Sequence, residues 1–444
     1  MDTTAEFSGN LTNYLLLMVY LIPVGLIWFG KIFIRHRASA RHAKTLRENQ
    51  EAGLVEPASL HPLIDRDLCI GCNACSKACP EGDVLAIIHD KVELINPTHC
   101  IGHGACAAAC PLDAISLVFG TEKRGLDIPN VDPNFETNVP GIFIAGELGG
   151  MGLIRNAIEQ GRQAMESVKK KAAKFKGNPY DVVVIGAGPA GFSASLYALE
   201  NGMRYVTLEQ DSLGGTVSHF PRGKIVMTAP VKLPMIGKVR FRETTKETLL
   251  AFWQNVESET GVKINYMERM ESITPIKNGF EVKTTKGLYK TSTVLLSIGR
   301  RGTPRKLNVP GEEQNKVVYR LLDPEQYKGQ HVLIVGGGDS ALEAAHSIAD
   351  EQGTVVTISY RSGSFNRAKP KNRDKVERYN AEGKLKILFN SEVKEILKDK
   401  VIITQEGQNI ILPNDAVIIS AGGILPTGLL KSMGISVETK YGTA

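Results

Sequence analysis

The longest apolar stretch comes first. Phe7 to Gly30 is 24 residues without a charge, including L-L-L-M-V-Y-L-I-P-V-G-L-I-W-F. As a helix it would be about 36 Å long, enough to cross a hydrocarbon core of about 30 Å. Pro23 predicts a kink. Asp2 and Glu6 precede the run, and Lys31 to Arg47 carries six basic residues and no acid. The positive-inside rule then places the N-terminus outside and everything after Lys31 in the cytoplasm, a single-pass protein of the inner (cytoplasmic) membrane. A cleaved signal peptide would carry its positive charge before the apolar run. The anchor is assigned to 7–34. Residues 35–62 read as a juxtamembrane helix near anionic headgroups, with a solvated linker helix as the plainer alternative, followed by the Gly/Pro linker Ala52–Pro62.

The remaining apolar segments are short, and turns separate them. Leu85–His89 and Ala114–Phe119 are strand-like, and each follows a cysteine run. Val182–Ile185 is a buried-strand run leading into G-A-G-P-A-G (Gly186, Gly188, Pro189, Ala190, Gly191), a helix of small residues, and a strand, Tyr205–Leu208, ending at Glu209. The glycines permit a tight turn and close approach of a pyrophosphate to the helix N-terminus, and Glu209 is placed for ribose hydroxyls. The same unit recurs from His331. Val332–Val335 leads into G-G-G-D-S-A (Gly336, Gly338, Asp339, Ser340, Ala341), a helix to about Ala349, and Val355–Ser359. That second strand ends in Tyr360 and Arg361, with Arg367 following. No acid is present for a ribose 2′-hydroxyl and guanidinium groups are available for a 2′-phosphate, which favours NADP with NAD still open.

Composition changes the picture mainly through charge and cysteine. The chain has 444 residues, 42% hydrophobic, with a formal net charge of +6. Residues 48–444 net only +2, so the folded part offers no basic patch for nucleic acid. All seven cysteines lie within Cys69–Cys110. An odd count in metal-type spacing speaks for a reducing compartment rather than a disulfide framework. Cys69, Cys72, Cys75 and Cys79 form C-x2-C-x2-C-x3-C-P, which resembles bacterial dicluster ferredoxins and is more typical of iron–sulfur than of zinc. Cys100, Cys106 and Cys110 repeat the pattern with His103 in place of one cysteine. The resemblance implies that Cys69, Cys72 and Cys75 hold one cluster with Cys110, and that Cys100 and Cys106 hold another with Cys79. His103 stays open: a ligand completing a [4Fe–4S] cluster, a bystander to a [3Fe–4S] cluster, or a surface residue beside an empty site. The kept cysteine spacing favours a filled site.

Two glycine-rich units in this order resemble the thioredoxin reductase-like flavoproteins of the class II pyridine nucleotide-disulfide oxidoreductases. V-L-L-S-I-G-R-R-G-T-P-R-K-L-N-V-P-G-E (Val294–Glu312) and A-V-I-I-S-A-G-G-I-L-P-T (Ala416–Thr427) are similar to that family's two crossovers. The resemblance implies FAD at the first unit, with Gly214, Gly215 and Thr216 contributing, and NAD(P)H at the second. The family's closing FAD motif is found upstream instead: T-N-V-P-G-I-F-I-A-G-E (Thr137–Glu147), with Gly146 and Glu147 at the flavin, then a helical Leu153–Lys169. This implies a circular permutation. There is no cysteine after Cys110, so the family's internal flavin-to-disulfide relay is missing. In this the chain resembles the ferredoxin–NADP reductase and bacilliredoxin reductase branches.

The expected fold is α/β: two Rossmann-like domains, a small α+β ferredoxin-like dicluster module and an N-terminal transmembrane helix. The expected division is 63–120 for the iron–sulfur module, 121–176 for the permuted closing segment, 177–302 for the FAD domain, 303–415 for the NAD(P) domain and 416–444 for the return segment. The expected function is electron transfer between NAD(P)H, FAD and the clusters, and on to a protein or membrane quinone. Family resemblance adds a homodimer. Two other readings stand beside it: a disulfide or small-oxidant reductase acting at the flavin, and a redox sensor with little turnover.

Overall fold

The computed structural model describes residues 3–442 apart from 52, 53, 56, 58, 59, 101, 103, 123, 124, 151, 176, 228, 229, 242, 243, 301 and 367, with side chains from residue 18 onward.

A single helix, Thr3–Glu51, runs through Pro23 and across the whole apolar-to-basic transition. Met18 to Ile34 presents exposed large apolar side chains such as Trp28, Phe29, Phe33 and Ile34. Among the described residues this is the one helix long and apolar enough to cross a membrane. Its C-terminal half docks on the iron–sulfur module along one face. Arg35 Nη2 donates to Asp90 Oδ1 at 2.8 Å, and the His89 backbone N–H to Ser39 Oγ at 3.1 Å. His42 Nδ1 donates to the Ile87 carbonyl at 3.0 Å, and Asn49 Nδ2 to the Ile95 carbonyl at 2.8 Å. Residues three and four apart share a helix face, and Ala43 and Leu46 fill that face against Ala86, Ile88 and Ile95.

The module itself is built twice over. Helices Ala74–Ala78 and Ala105–Ala108 each start after a left-handed residue, Asn73 at φ 66° and Gly104 at φ 76°. Strand His61–Ile64 pairs antiparallel with Ile115–Val118, and Leu85–Ile88 forms a hairpin with Lys91–Leu94.

Downstream stand two parallel-sheet domains. In the first, Tyr180–Ile185 lies between Tyr205–Leu208 and Leu288–Leu296, all parallel. Gly279–Thr284 and Met270–Ile276 extend that sheet antiparallel. The short strand Ile142–Ile144 also joins it, parallel to Val294–Leu296. The 19-residue helix Ile154–Ala172 then packs along Pro189–Glu200. Its small and apolar face (Ala157, Ile158, Ala164, Met165, Val168) is buried. The second domain has five parallel strands in the spatial order Val317–Val318, Ala416–Ile419, His331–Val335, Val355–Tyr360, Leu385–Phe389, flanked by a three-stranded antiparallel meander. The two crossing strands between domains, Thr303–Pro304 and Gly423–Ile424, pair with each other. The last strand, Val437–Lys440, pairs antiparallel with Leu126–Pro129. Asn138 adds two hydrogen bonds there, donating to the Gly434 carbonyl and accepting from Ser436 N. Residues 126–145 and 434–440 are therefore stitched into one unit although about 300 positions separate them.

Candidate functional site

The cysteines ring two separate cavities. Cys69, Cys72, Cys75 and Cys110 line one, with Leu68, Ile70, Val92, Leu112 and Ile115 around them. Cys79, Cys100 and Cys106 line the other, with Val84, Leu85, Leu117 and His61. Each cysteine run thus sends its last member across to the other cavity. His103 lies outside the described residues. Among those described, no three side chains converge as one metal ion would require. Thiolates spread around a cavity suit a polynuclear cluster rather than tetrahedral zinc.

Burial acts on the free thiols. It pushes Cys75 up to about 11, and pushes Cys100 and Cys106 up as well. Uptake of a cluster by these groups would release protons. Two contacts bear on the first cavity's electrostatics. Lys91 Nζ donates to the Cys69 and Arg66 carbonyls, each at 2.7 Å. Ala114 N donates to Cys110 Sγ at 3.3 Å, the kind of bond to sulfur that tunes a cluster's potential.

The first glycine turn shows why its sequence is so constrained. A Cβ at Gly191 would fall 1.8 Å from the Gly186 carbonyl oxygen, so the helix can begin this close to the strand only with glycine there. Pro189 occupies the first turn of Pro189–Glu200, where its missing N–H costs nothing. Glu209 is 5% exposed and holds the turn from below: Oε2 accepts from Ala187 N at 2.7 Å and Oε1 from Asp211 N at 2.9 Å. Burial raises its pKa, and the backbone donors only partly counter this. Gly214 N donates to the Ala187 carbonyl at 3.0 Å, which brings Gly215 against Gly188. From upstream, Gly146 lies against Ala190, and Gln160 Oε1 accepts its N–H at 2.9 Å. Glu147 Oε2 and Thr216 Oγ1 both face Gly299. Residues from 146–147, 186–191, 209, 214–216 and 299 therefore surround one crevice at the carboxyl ends of the parallel strands, where ligands of open α/β sheets bind.

At the second turn, Gly336, Gly338, Ser340 and Ala341 open helix Asp339–Ala349. Asp339 is already engaged: Oδ1 accepts from Lys369 N and Asn372 Nδ2, each at 2.8 Å. It braces the following loop rather than presenting a free carboxylate. Tyr360 lies over Gly337 and stacks on Phe365, with ring centroids 5.6 Å apart. Arg361 is exposed just past the strand end, and Arg367 lies outside the described residues. Two further groups here escaped the sequence reading: Asn366 Oδ1 and Arg373 Nη1 are buried without a hydrogen-bond partner among the described residues. The signal available was the acid-free run from 361 to 373, which holds Arg361, Arg367, Lys369, Lys371 and Arg373.

Comparison with known proteins fits this geometry. Residues 183–443 match the family model described as pyridine nucleotide-disulphide oxidoreductase, and residues 61–111 match the 4Fe-4S dicluster domain. The chain is similar to a ferredoxin--NADP reductase of Ignicoccus hospitalis, 30% identical over 270 residues, covering 59% of this chain and 83% of that one. It is also similar to bacilliredoxin reductase Bdr of Bacillus subtilis, 24% identical over 267 residues, covering 59% and 82%. Among solved structures, the bacillithiol disulfide reductase Bdr of Bacillus cereus shares the fold at a TM-score of 0.53 and 24% identity, covering 58% of this chain and 82% of that one.

Proposed function

We propose that this chain, which belongs to the pyridine nucleotide-disulphide oxidoreductase family and carries a 4Fe-4S dicluster domain, is a membrane-anchored enzyme moving electrons between NAD(P)H, FAD and its own clusters, and on to a redox partner. FAD, when bound, takes the two electrons of a hydride together and gives them up one at a time, the conversion that one-electron clusters need. The protein's part is binding and positioning. The N-terminus of Pro189–Glu200 receives the pyrophosphate, Glu209 the adenosine ribose, and Glu147 and Thr216 the flavin end. Gly338 and Ser340 receive the pyrophosphate of the nicotinamide nucleotide, and Arg361 and Arg367 its 2′-phosphate. Cys69, Cys72, Cys75 and Cys110 hold one cluster. Cys79, Cys100 and Cys106 hold the other, with His103 beside it.

One observation carries the reading. Phe119, directly after the strand Ile115–Val118 of the cysteine module, packs on Gly150, where a Cβ would fall 2.4 Å from the ring. Gly150 is three residues past Glu147. The cluster module thus packs on the segment that carries Glu147, which supports electron passage between the clusters and the proposed flavin site. Pairing of Ile142–Ile144 with Val294–Leu296 supports a permuted FAD domain, in which 121–176 closes what 177–302 and 416–444 begin. The exposed apolar face of Thr3–Glu51 supports the anchor, with the basic side cytoplasmic.

Stepwise reduction with NADPH, followed by EPR, tests the proposal. Cluster signals are expected to grow as NADPH is added, and Cys75→Ser should abolish NADPH oxidation by a one-electron acceptor. Full turnover in that variant would instead favour reduction of an external oxidant at the flavin. The similarity to bacilliredoxin reductase gives that second reading its support.

A further inference from the structure

The docked helix gives the cysteine module a direction. At its membrane end Arg35, the first residue after the apolar Ile34, grips Asp90. The Asp90 carbonyl lies against Gly71, where a Cβ would fall 2.2 Å away, and neighbouring Lys91 ties down the Cys69 and Arg66 carbonyls. The loop of the first cavity is therefore level with the end of the apolar run. At the other end Asn49 holds the Ile95 carbonyl and Asn96 Oδ1. Ile95 N and Asn96 N both bond the Val84 carbonyl, and Val84 lines the second cavity. Arg35 and Asn49 are fourteen residues apart, or about 21 Å along the helix. The sequence of stations is thus apolar helix, first cavity, second cavity, Phe119, Gly150, Glu147.

The membrane-proximal station has an unusual rim. Leu68, Ile70 and Leu112 line the first cavity, yet are 51%, 66% and 44% exposed. Ile70 adjoins Gly71, which the Asp90 contact ties to Arg35, one residue past Phe33 and Ile34, themselves 61% and 67% exposed on the helix. Apolar side chains clustered at that depth, continuous with a membrane-spanning helix and beside Lys31, Arg35 and Arg37, suit an anionic lipid surface. Resting on the function proposed above, we infer that this rim lies on the bilayer, and that the cluster of Cys69, Cys72, Cys75 and Cys110 exchanges electrons there with a lipid-dissolved quinone. The reaction balances: one NADPH gives up two electrons and one proton. The quinone takes both electrons, with two protons of which one comes from water, and becomes a quinol.

The test uses full-length protein in vesicles of phosphatidylethanolamine and phosphatidylglycerol containing a menaquinone. The clusters are reduced with dithionite, excess reductant is removed, and reoxidation is followed by EPR and quinol formation. Quinone-dependent reoxidation, expressed per reduced first cluster counted by EPR, is expected to be slowed roughly tenfold in Ile70→Glu and in Leu68→Glu through loss of an apolar lipid contact. A gadolinium chelate on lipid headgroups should speed EPR relaxation of the first cluster more than the second. Unchanged rates in both variants, or equal relaxation of both clusters, would overturn the inference. So would reoxidation that needs an added membrane-protein fraction rather than quinone. NADPH in place of dithionite tests the flavin end separately: failure there sinks the earlier reading while the dithionite arm still decides this one.

Discussion

Gly161 of helix Ile154–Ala172 meets Ala190 of helix Pro189–Glu200 so closely that a Cβ at 161 would fall 2.1 Å from the Ala190 carbonyl oxygen. This contact joins the upstream segment to the helix that opens the flavin crevice. Gly161→Leu should force the two helices apart, at a cost of about 1–3 kcal/mol or more. The expected result is protein with normal iron and little FAD, read as the flavin-to-iron ratio after purification. Normal flavin content would contradict the permuted assembly of the FAD domain.

The ribose contact proposed for Glu209 predicts a pH dependence of FAD binding. Its buried carboxyl is harder to ionise than an ordinary one, so it takes up a proton at a higher pH than usual as the solution is acidified. The protonated form loses acceptor capacity for ribose hydroxyls and for the Ala187 and Asp211 N–H groups. FAD affinity should therefore fall as pH falls through a value above the normal glutamate range. Fluorescence of released flavin measures this. Glu209→Gln should bind FAD more weakly and lose the pH step.

His346 makes a separate prediction about stability. Burial lowers its pKa to about 4, and nearby Lys375 adds to this while Asp350 and Glu343 oppose it. Its Nδ1 has no hydrogen-bond partner among the described residues. The unfolded chain protonates this ring near the ordinary 6.5 and the folded chain only near 4. The contribution is therefore whole above pH 6.5 and is lost as pH falls towards 4, up to about 3 kcal/mol. Denaturant unfolding of wild type and His346→Leu at pH 7 and pH 5 checks it: wild type should lose stability relative to the variant on going to the lower pH.

Arg361 should separate the two nucleotides. A charge-assisted bond to a 2′-phosphate contributes about 1.5–3 kcal/mol. Arg361→Ala is expected to raise KM for NADPH by roughly tenfold or more while leaving KM for NADH nearly unchanged. Equal effects on both would place the guanidinium away from the 2′ position.

The crossed cysteines give a fifth test. Cys110 lines the cavity of the first run, and Cys79 that of the second. EPR of Cys110→Ser should show damage to the cluster held by Cys69, Cys72 and Cys75, although position 110 lies in the other run. Cys79→Ser should do the reverse.

Much of this was legible because it rests on local constraints. Gly186, Gly191 and Glu209 sit at spacings that only a strand–turn–helix–strand unit explains, and the cysteine runs specify their cavities by pattern. The docking of Arg35–Glu51 was not legible. Its contact face uses Ser39, His42 and Asn49 on backbone groups and Arg35 on the Asp90 carboxylate, with only Ala43 and Leu46 apolar between them, so the sequence reads as a polar juxtamembrane helix. Asn366 and Arg373 were hidden for a different reason. Their burial depends on how the loop after Tyr360 folds back, and Asp339 fixes that loop from another strand's end through Lys369 and Asn372.

The unbroken helix Thr3–Glu51 has a consequence for how the sequence can vary. Apolar run and docking face share one rod, so their rotational phase is locked at about 100° per residue. Substitutions between Ile34 and Ser39 leave that phase intact. A single inserted or deleted residue there swings the folded part that follows by about 100° around the rod relative to the apolar run, and would undo the lipid contact proposed for Ile70. Length in this stretch is therefore expected to be far less free to drift than residue identity.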